Sequence, residues 1–415
     1  MLGFRRASPH IRPPRAVHTF DSLKVVAFRV YWTSMIFQWT SFNMLGVAKG
    51  WFLYELTSSP LLLGAMGASM GLPMFALSFF GGVVADRVDK RQLLLWGTLG
   101  QGLTMGAVAV LVTTGAIIWW HLLVASAVQG VLFAFTVPAR QSAVPQMVDK
   151  DHIMNAMSLN TAGMNVATLL GPAAAGFLVD YIGVMGVYWL IAALFVVSGL
   201  IMVGMPALPP SGEGPRKNVA RDVTEGLQFV KRDTALLLLL VITFIAVAFA
   251  TPLNNLMPVF TEDVLKVGAS GLGVLLSLTG LGALIGSLSI ASLGDFNYKG
   301  KALLLLTFLW GGAVVAFTAT RIYGLAMFLM IPVGIGQSAR NVIVNTIMLS
   351  RSPPEFRGRV ISLNMMTWGL QPLGLLPIGA AAEVIGAPWA MGISGAIVAA
   401  AALLFLLLCP TLRRL

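Results

Sequence analysis

The chain has 415 residues, of which 57% are hydrophobic and only 10% charged, with a mean hydropathy of +0.85. Soluble domains carry about 25% charged residues, so this composition excludes a water-soluble globular protein. The net charge of +11 would suit nucleic acid in a soluble chain, and the single cysteine, Cys409, excludes an internal disulfide framework.

Residues 1–22 are basic, contain proline and have no apolar core, so they are expected as a disordered tail rather than a cleavable signal peptide. A membrane-spanning helix needs about 20 apolar residues. About twelve such segments follow, beginning near Val25, Pro60, Leu93, Ile117, Ile153, Val187, Ala235, Ser270, Ala302, Tyr323, Val360 and Pro388. The expected fold class is therefore an all-α membrane protein. A first bundle covers 23–206, a linker 207–233, a second bundle 234–409 and a short tail 410–415.

Between the second and third spans lies Gly82-Val83-Val84-Ala85-Asp86-Arg87-Val88-Asp89-Lys90-Arg91. An acid followed by clustered cations cannot lie in hydrocarbon, so this is a turn between two spans. It resembles the loop motif between the second and third helices of the major facilitator superfamily, Gly-x-Leu-Ala-Asp-Arg-x-Gly-Arg-Lys. Gly82, Asp86, Arg87, Lys90 and Arg91 fall on the pattern, while Asp89 stands where the family has glycine. The resemblance implies twelve transmembrane helices in two six-helix pseudo-symmetric bundles, the major facilitator fold. It also implies that the cluster is a conformational latch favouring the inward-closed state, with Asp86 facing the start of the eleventh span near Val360. Asp89 tolerates left-handed backbone, so it need not break the turn, but it adds a negative charge beside the latch.

Further along, Pro138-Ala139-Arg140-Gln141, Asn155-Ala156, Leu170-Gly171-Pro172, Glu355-Phe356-Arg357-Gly358-Arg359-Val360, Pro372-Leu373-Gly374 and Ala382-Glu383 resemble the drug:proton antiporter branch that includes macrolide efflux proteins and the enterobactin exporter. On the fifth span, Gly171, Pro172 and Gly176 form an element similar to the Gly-Pro signature of exporters. Physically, proline removes a backbone donor and the small neighbours let a partner helix come close. Plain helix packing is the equally weighted alternative.

The two halves repeat. Gly130 through Asn160 aligns without a gap on Gly334 through Asn364, and Asp86 and Lys90 meet Asp295 and Lys299, so Asp295 marks a worn second copy of the latch loop. Two parallel halves related by an axis along the membrane normal follow. In the linker, Val219, Val223, Leu227 and Val230 recur at helical spacing and predict a short amphipathic helix on the membrane surface, chiefly a tether. If the sides alternate, Arg5, Arg87, Lys90, Arg91, Arg140, Arg216, Arg232, Arg351, Arg359 and Arg413 share one side, and Asp180, Glu262, Asp263 and Glu383 gather on the other. The positive side is cytoplasmic, which places both termini there, in the cell membrane.

Polar residues inside spans are candidates for contact with a transported solute. Gln38, Ser41 and Lys49 share a face of the first span; Asn165 lies in a stripe on the fifth; Gln337 and Arg340 stand on the tenth; Trp368 and Gln371 on the eleventh; Gln129 and Asn255 on the fourth and seventh. Each neutral residue has interhelical hydrogen bonding as an alternative of equal weight. Lys49 and Arg340 are read as the clear intramembrane charges, giving a positive cavity that favours solutes with a carboxylate, phenolate or phosphate. A desolvated lysine loses its proton more readily than an arginine, so Lys49 is the candidate carrier of a coupling proton. The alternative for both is snorkelling to a helix end. No Asp or Glu stands in the middle of a span, and Ser126 replaces the arginine that superfamily antiporters often carry before Gln129-Gly130.

No phosphate-binding Gly-x-x-x-x-Gly-Lys loop and no Cys/His cluster occurs, so neither an ATP-driven pump nor a metal centre is expected. The chain reads as a non-enzymatic secondary transporter needing no cofactor beyond an ion gradient, of protons. It exports a small amphiphilic solute, has the bilayer and that solute as partners, binds no nucleic acid and acts as a monomer. The alternatives are an importer of an anionic metabolite or lysolipid, and a non-transporting membrane receptor or scaffold of the same fold.

Overall fold

The computed structural model describes residues 20–210, 219–294, 296–413 and 415; the side chains at 79, 86, 150, 219–223, 354, 355 and 368 lie outside that description, as does all of Asp295. The apolar segments are helices because, in hydrocarbon, every backbone N–H must find its partner inside its own segment. The first bundle contains α1 (Val26–Thr57), α2 (Pro60–Arg87), α3 (Lys90–Thr113), α4 (Trp119–Met147) and α5 (Ile153–Met202). α5 is two spans in one run, broken at Gly183, whose φ of 71° and ψ of 167° suit a residue without a Cβ. α6 (Val219–Arg232) follows in the linker.

The second bundle begins with α7 (Thr234–Ala250), which Pro252 interrupts before α8 (Pro252–Val259) and a π-helical stretch, Phe260–Leu265, complete the same span. Then come α9 (Gly268–Leu293), α10 (Lys299–Ala319) and α11 (Tyr323–Arg351). α12 (Pro354–Gly369) and α13 (Pro372–Ile385) form one broken span that starts well before the apolar run at Val360, since Pro354 suits a helix's first turn. α14 (Ala387–Leu408) and the single turn α15 (Pro410–Arg413) end the chain. Nine stretches of described residues are individually long and apolar enough to cross a membrane. Three more spans, namely α1, the second arm of α5 and the α12–α13 pair, complete two bundles of six.

Glycines set the seam between the bundles. A Cβ on Gly176 of α5 would lie 3.1 Å from the Gly273 Cα of α9, and one on Gly379 of α13 would lie 3.4 Å from the Gly64 Cα of α2. Small residues let these helices approach closely where no water is available to drive them together.

The arrangement of the core is asymmetric along the membrane normal. At the face carrying Tyr54, Glu383 and the α2 and α9 N-termini, one apolar cluster joins both bundles, from Leu53 and Val179 to Phe260, Leu272 and Ile378. At the other face, which carries Arg87, Arg91, Arg232 and Arg351, the core is two separate clusters. One is built around Phe28, Leu94, Ala143 and Leu159, the other around Leu239, Ile343, Val360 and Leu412. The molecule is thus fused at one face, called the acidic face below, and divided at the other, the basic face. α6 belongs to the second bundle: Glu225 pairs with Arg359 at 3.0 Å and Phe229 stacks on Phe356 with ring centroids 4.5 Å apart.

Candidate functional site

The acidic face is closed by carboxylates that reach from one bundle to the other. At the end of α13, Glu383 Oε2 accepts the Leu61 N–H at 3.1 Å and the Ser59 hydroxyl at 2.9 Å. At the corresponding end of the first arm of α5, Asp180 Oδ2 accepts the Ser270 N–H at 3.2 Å. Leu61 and Ser270 both sit in the first turn of their helices, where N–H groups have no intrahelical partner and the dipole favours an anion. Alongside them, the Tyr54 hydroxyl donates to Asp263 Oδ2 at 2.5 Å, again across the bundles. Sequence reading left Asp180 and Glu383 merely near the outer ends. The internal repeat carried the signal, because its offset places Asp180 next to Glu383.

Within the spans, the candidate residues turn mostly into the interior of their own bundle. Lys49 is buried and its Nζ donates to Gln129 Oε1 at 3.4 Å; Gln129 in turn lies against the Met105 sulfur. Gln38 donates to Gln101 Oε1 at 3.3 Å, and Ser41 bonds the Phe37 carbonyl on its own helix. In the second bundle Arg340, 1% exposed, donates to the Thr243 hydroxyl at 3.4 Å and to Asn341 Oδ1 at 2.8 Å, with its guanidinium carbon 5.5 Å from the Trp310 ring centroid. Gln371 donates to the Thr251 hydroxyl at 2.8 Å, bridging the two broken spans. Asn165 and Gln337 are half-buried. Asn255 stands at the seam, its Oδ1 3.1 Å from where a Gly67 Cβ would be. The Trp368 side chain lies outside the described residues.

Arg140 is a correction. Counted from sequence among the basic loop residues, it is instead buried within α4, donating to Gln38 Oε1 with its guanidinium 5.9 Å from the Trp39 ring. Pro138 and Pro145 are both accommodated inside the helix. Arg140 therefore joins Lys49 and Arg340 as an intramembrane charge. None of the three pairs with a carboxylate among the described residues.

The turn at Asp86 is organised differently from its expected form. Asp89 has φ of −57°, not a left-handed conformation, and it caps α3, accepting the Arg91 N–H at 2.9 Å and the Leu208 N–H at 3.0 Å. Arg91 donates to the Val203 carbonyl at 2.6 Å and the Met202 carbonyl at 3.4 Å, where a cation meets the negative end of α5. Lys90 is fully buried, Arg87 is exposed and Gly82 is half-buried. The Asp86 side chain and Asp295, both expected in the latch, lie outside the described residues. On α5, a Cβ at Gly171 would meet the Asn43 Cβ of α1 at 2.8 Å, Gly176 abuts α9, and the Pro172 turn leaves the Ala173 N–H to donate to Ser277 at 2.9 Å across the seam.

The chain is similar to known membrane proteins. A family model described as "Transmembrane secretion effector" matches residues 17–413. The enterobactin exporter EntS of Shigella boydii is 25% identical over 363 residues, covering 86% of this chain and 84% of that protein. The multidrug efflux pump Tap of Mycolicibacterium fortuitum is 24% identical over 355 residues, covering 82% and 85%. Among solved structures, the nucleoside transporter NupG superposes with a TM-score of 0.76 at 12% identity, over 92% of this chain and 99% of that one. A bacterial homologue of the lysosomal transporter Spinster gives 0.72 at 13%, over 92% and 96%.

Proposed function

Because the chain belongs to the transmembrane secretion effector family of the major facilitator superfamily, we propose that it exports a small amphiphilic solute, drug- or siderophore-like, across the cell membrane by alternating access and proton antiport. The observation that carries the alternating-access part of this reading is the asymmetric core, one body at the acidic face and two at the basic face. With the basic face taken as cytoplasmic, this is an inward-facing form into which a solute enters from the cytoplasm between the bundles. To release it, the contacts of Asp180, Glu383 and Asp263 with the opposite bundle must break and the basic face must close. The efflux proteins EntS and Tap, matched over most of the chain, support the outward direction. Gln38, Ser41, Lys49, Gln129, Asn165, Asn255, Gln337, Arg340, Trp368 and Gln371 are proposed to contact the solute or to support its contacts, and Lys49 to carry the proton.

The test is overexpression and deletion against a panel of labelled amphiphiles, with intracellular accumulation as the readout. Lower accumulation on overexpression, reversed by collapsing the proton gradient, is expected. Faster accumulation of any panel member on overexpression would replace export by import.

A further inference from the structure

Around Arg140 the first bundle holds more hydrogen-bond donors than acceptors. Arg140 donates one terminal nitrogen to Gln38 Oε1, and Gln38 Nε2 donates to Gln101 Oε1, so both side-chain carbonyls of this chain of contacts are engaged. Four polar atoms are left buried without a partner among the described residues: Arg140 Nη1, Gln101 Nε2, Trp39 Nε1 and the Tyr31 hydroxyl. Three of these can only donate, and the fourth can donate as well. Trp39 lies under the guanidinium, and Tyr31 belongs to the same core cluster as Ala139, the neighbour of Arg140. Buried polar groups ordinarily find partners, and a buried cation without a counter-ion is costly. What such donors beside a guanidinium lack is an acceptor, and an anion would supply one while neutralising the cation.

Position agrees with chemistry. Tyr31 and Ala139 belong to the core cluster at the basic face, where the bundles are divided, and Trp39 is only half-buried. The second bundle repeats the device: Arg340 lies over Trp310, and Arg340 Nε and Trp310 Nε1 are likewise buried without partners among the described residues. On the repeat, Arg340 aligns one helical turn from Arg140. Arg140, at 9% exposure against 1% for Arg340, is the more accessible of the two.

We propose that Arg140, with Tyr31, Trp39 and Gln101, binds the acidic group of the transported solute, a carboxylate or phenolate on an aromatic or amphiphilic body. This rests on the transporter reading and gives it a substrate class, organic anions.

The test uses the full chain in lipid nanodiscs and measures equilibrium binding of radiolabelled salicylate, with tetraphenylphosphonium as the cationic control, in gluconate and in chloride buffers. Hydrogen bonds to charged groups predict about tenfold or greater weakening of salicylate binding in Arg140→Gln, a smaller loss in Arg140→Lys, and a loss of roughly threefold in Tyr31→Phe. Tetraphenylphosphonium binding is expected to be weaker than that of salicylate and not to fall in these variants. If Arg140→Gln fails to insert, Tyr31→Phe carries the decision. Absence of salicylate binding to the wild type, or binding undiminished in Tyr31→Phe and Arg140→Gln, overturns the proposal. Complete displacement of salicylate by chloride would assign the site to an inorganic anion and overturn the substrate assignment. Equilibrium binding has no direction, so a failure of the export reading in accumulation assays is separable from a failure here.

Discussion

Asp180 and Glu383 hold equivalent places in the two bundles, and each caps the first turn of the other bundle's second span. Asp180 takes the Ser270 N–H of α9, while Glu383 takes the Leu61 N–H of α2. The closure at the acidic face is thus itself two-fold: a carboxylate at the end of each fifth span meets the positive end of a helix across the seam. Because each carboxylate bonds a backbone N–H, that bond does not depend on the side chain of the capped residue; Glu383 adds the Ser59 hydroxyl.

Removing both caps should loosen the acidic face. Asp180→Ala and Glu383→Ala are each expected to cost about 0.5–1 kcal/mol, since both sites are exposed. Together they shift the balance between closed and open forms by a factor of about ten. The measurement is labelling of Leu62→Cys by an impermeant maleimide in a Cys409→Ala background. Equal labelling rates with and without the caps would remove these carboxylates from the gate.

Asp89 is predicted to act as a helix cap rather than as part of a latch. Asp89→Ala should destabilise the first bundle by about 1 kcal/mol, whereas Asp89→Asn keeps most of the cap and Asp89→Gly loses only a few tenths. Thermal unfolding of the detergent-solubilised variants reads this order. An alanine variant as stable as the wild type would contradict the bonds to the Arg91 and Leu208 N–H groups.

Asp86→Asn should weaken the form closed at the basic face while leaving insertion normal. Loss of one partner of a charge pair costs a few kcal/mol at most, enough to move a two-state equilibrium by one or two orders of magnitude. Cysteine accessibility from each side, measured together with transport, checks it. If neither changes, Asp86 has no latch role.

Lys49 is predicted to carry the coupling proton, held against Gln129 at 3.4 Å. Arginine does not release its proton at any accessible pH, so Lys49→Arg should insert normally yet lose the pH dependence of transport. Lys49→Ala should lose coupled transport as well. A Lys49→Arg protein whose transport varies with pH like the wild type would transfer the coupling role elsewhere.

The span pattern and the two-half organisation were legible in the sequence because they depend on local hydropathy: a stretch of about 20 apolar residues becomes a helix in lipid whatever its neighbours do. Charge asymmetry between loops was legible for the same reason. What only the tertiary structure decided is how distant positions meet. The Ser59–Glu383 bond joins residues 324 apart, and Asp180 meets Ser270 across 90. Arg140 was counted with the basic-side cations by alternation of sides, yet the neighbouring α1 supplies Gln38 and Trp39 and holds it inside the bundle. Asp89 read as a perturbed glycine, yet the chain beyond α5 returns Leu208 to it and makes it a cap. The polar faces of α1, α5 and α11 were visible as stripes, but a stripe does not say whether it turns toward the other bundle or into its own. Packing decided that, because a buried amide or guanidinium goes to whichever neighbouring span offers it a partner.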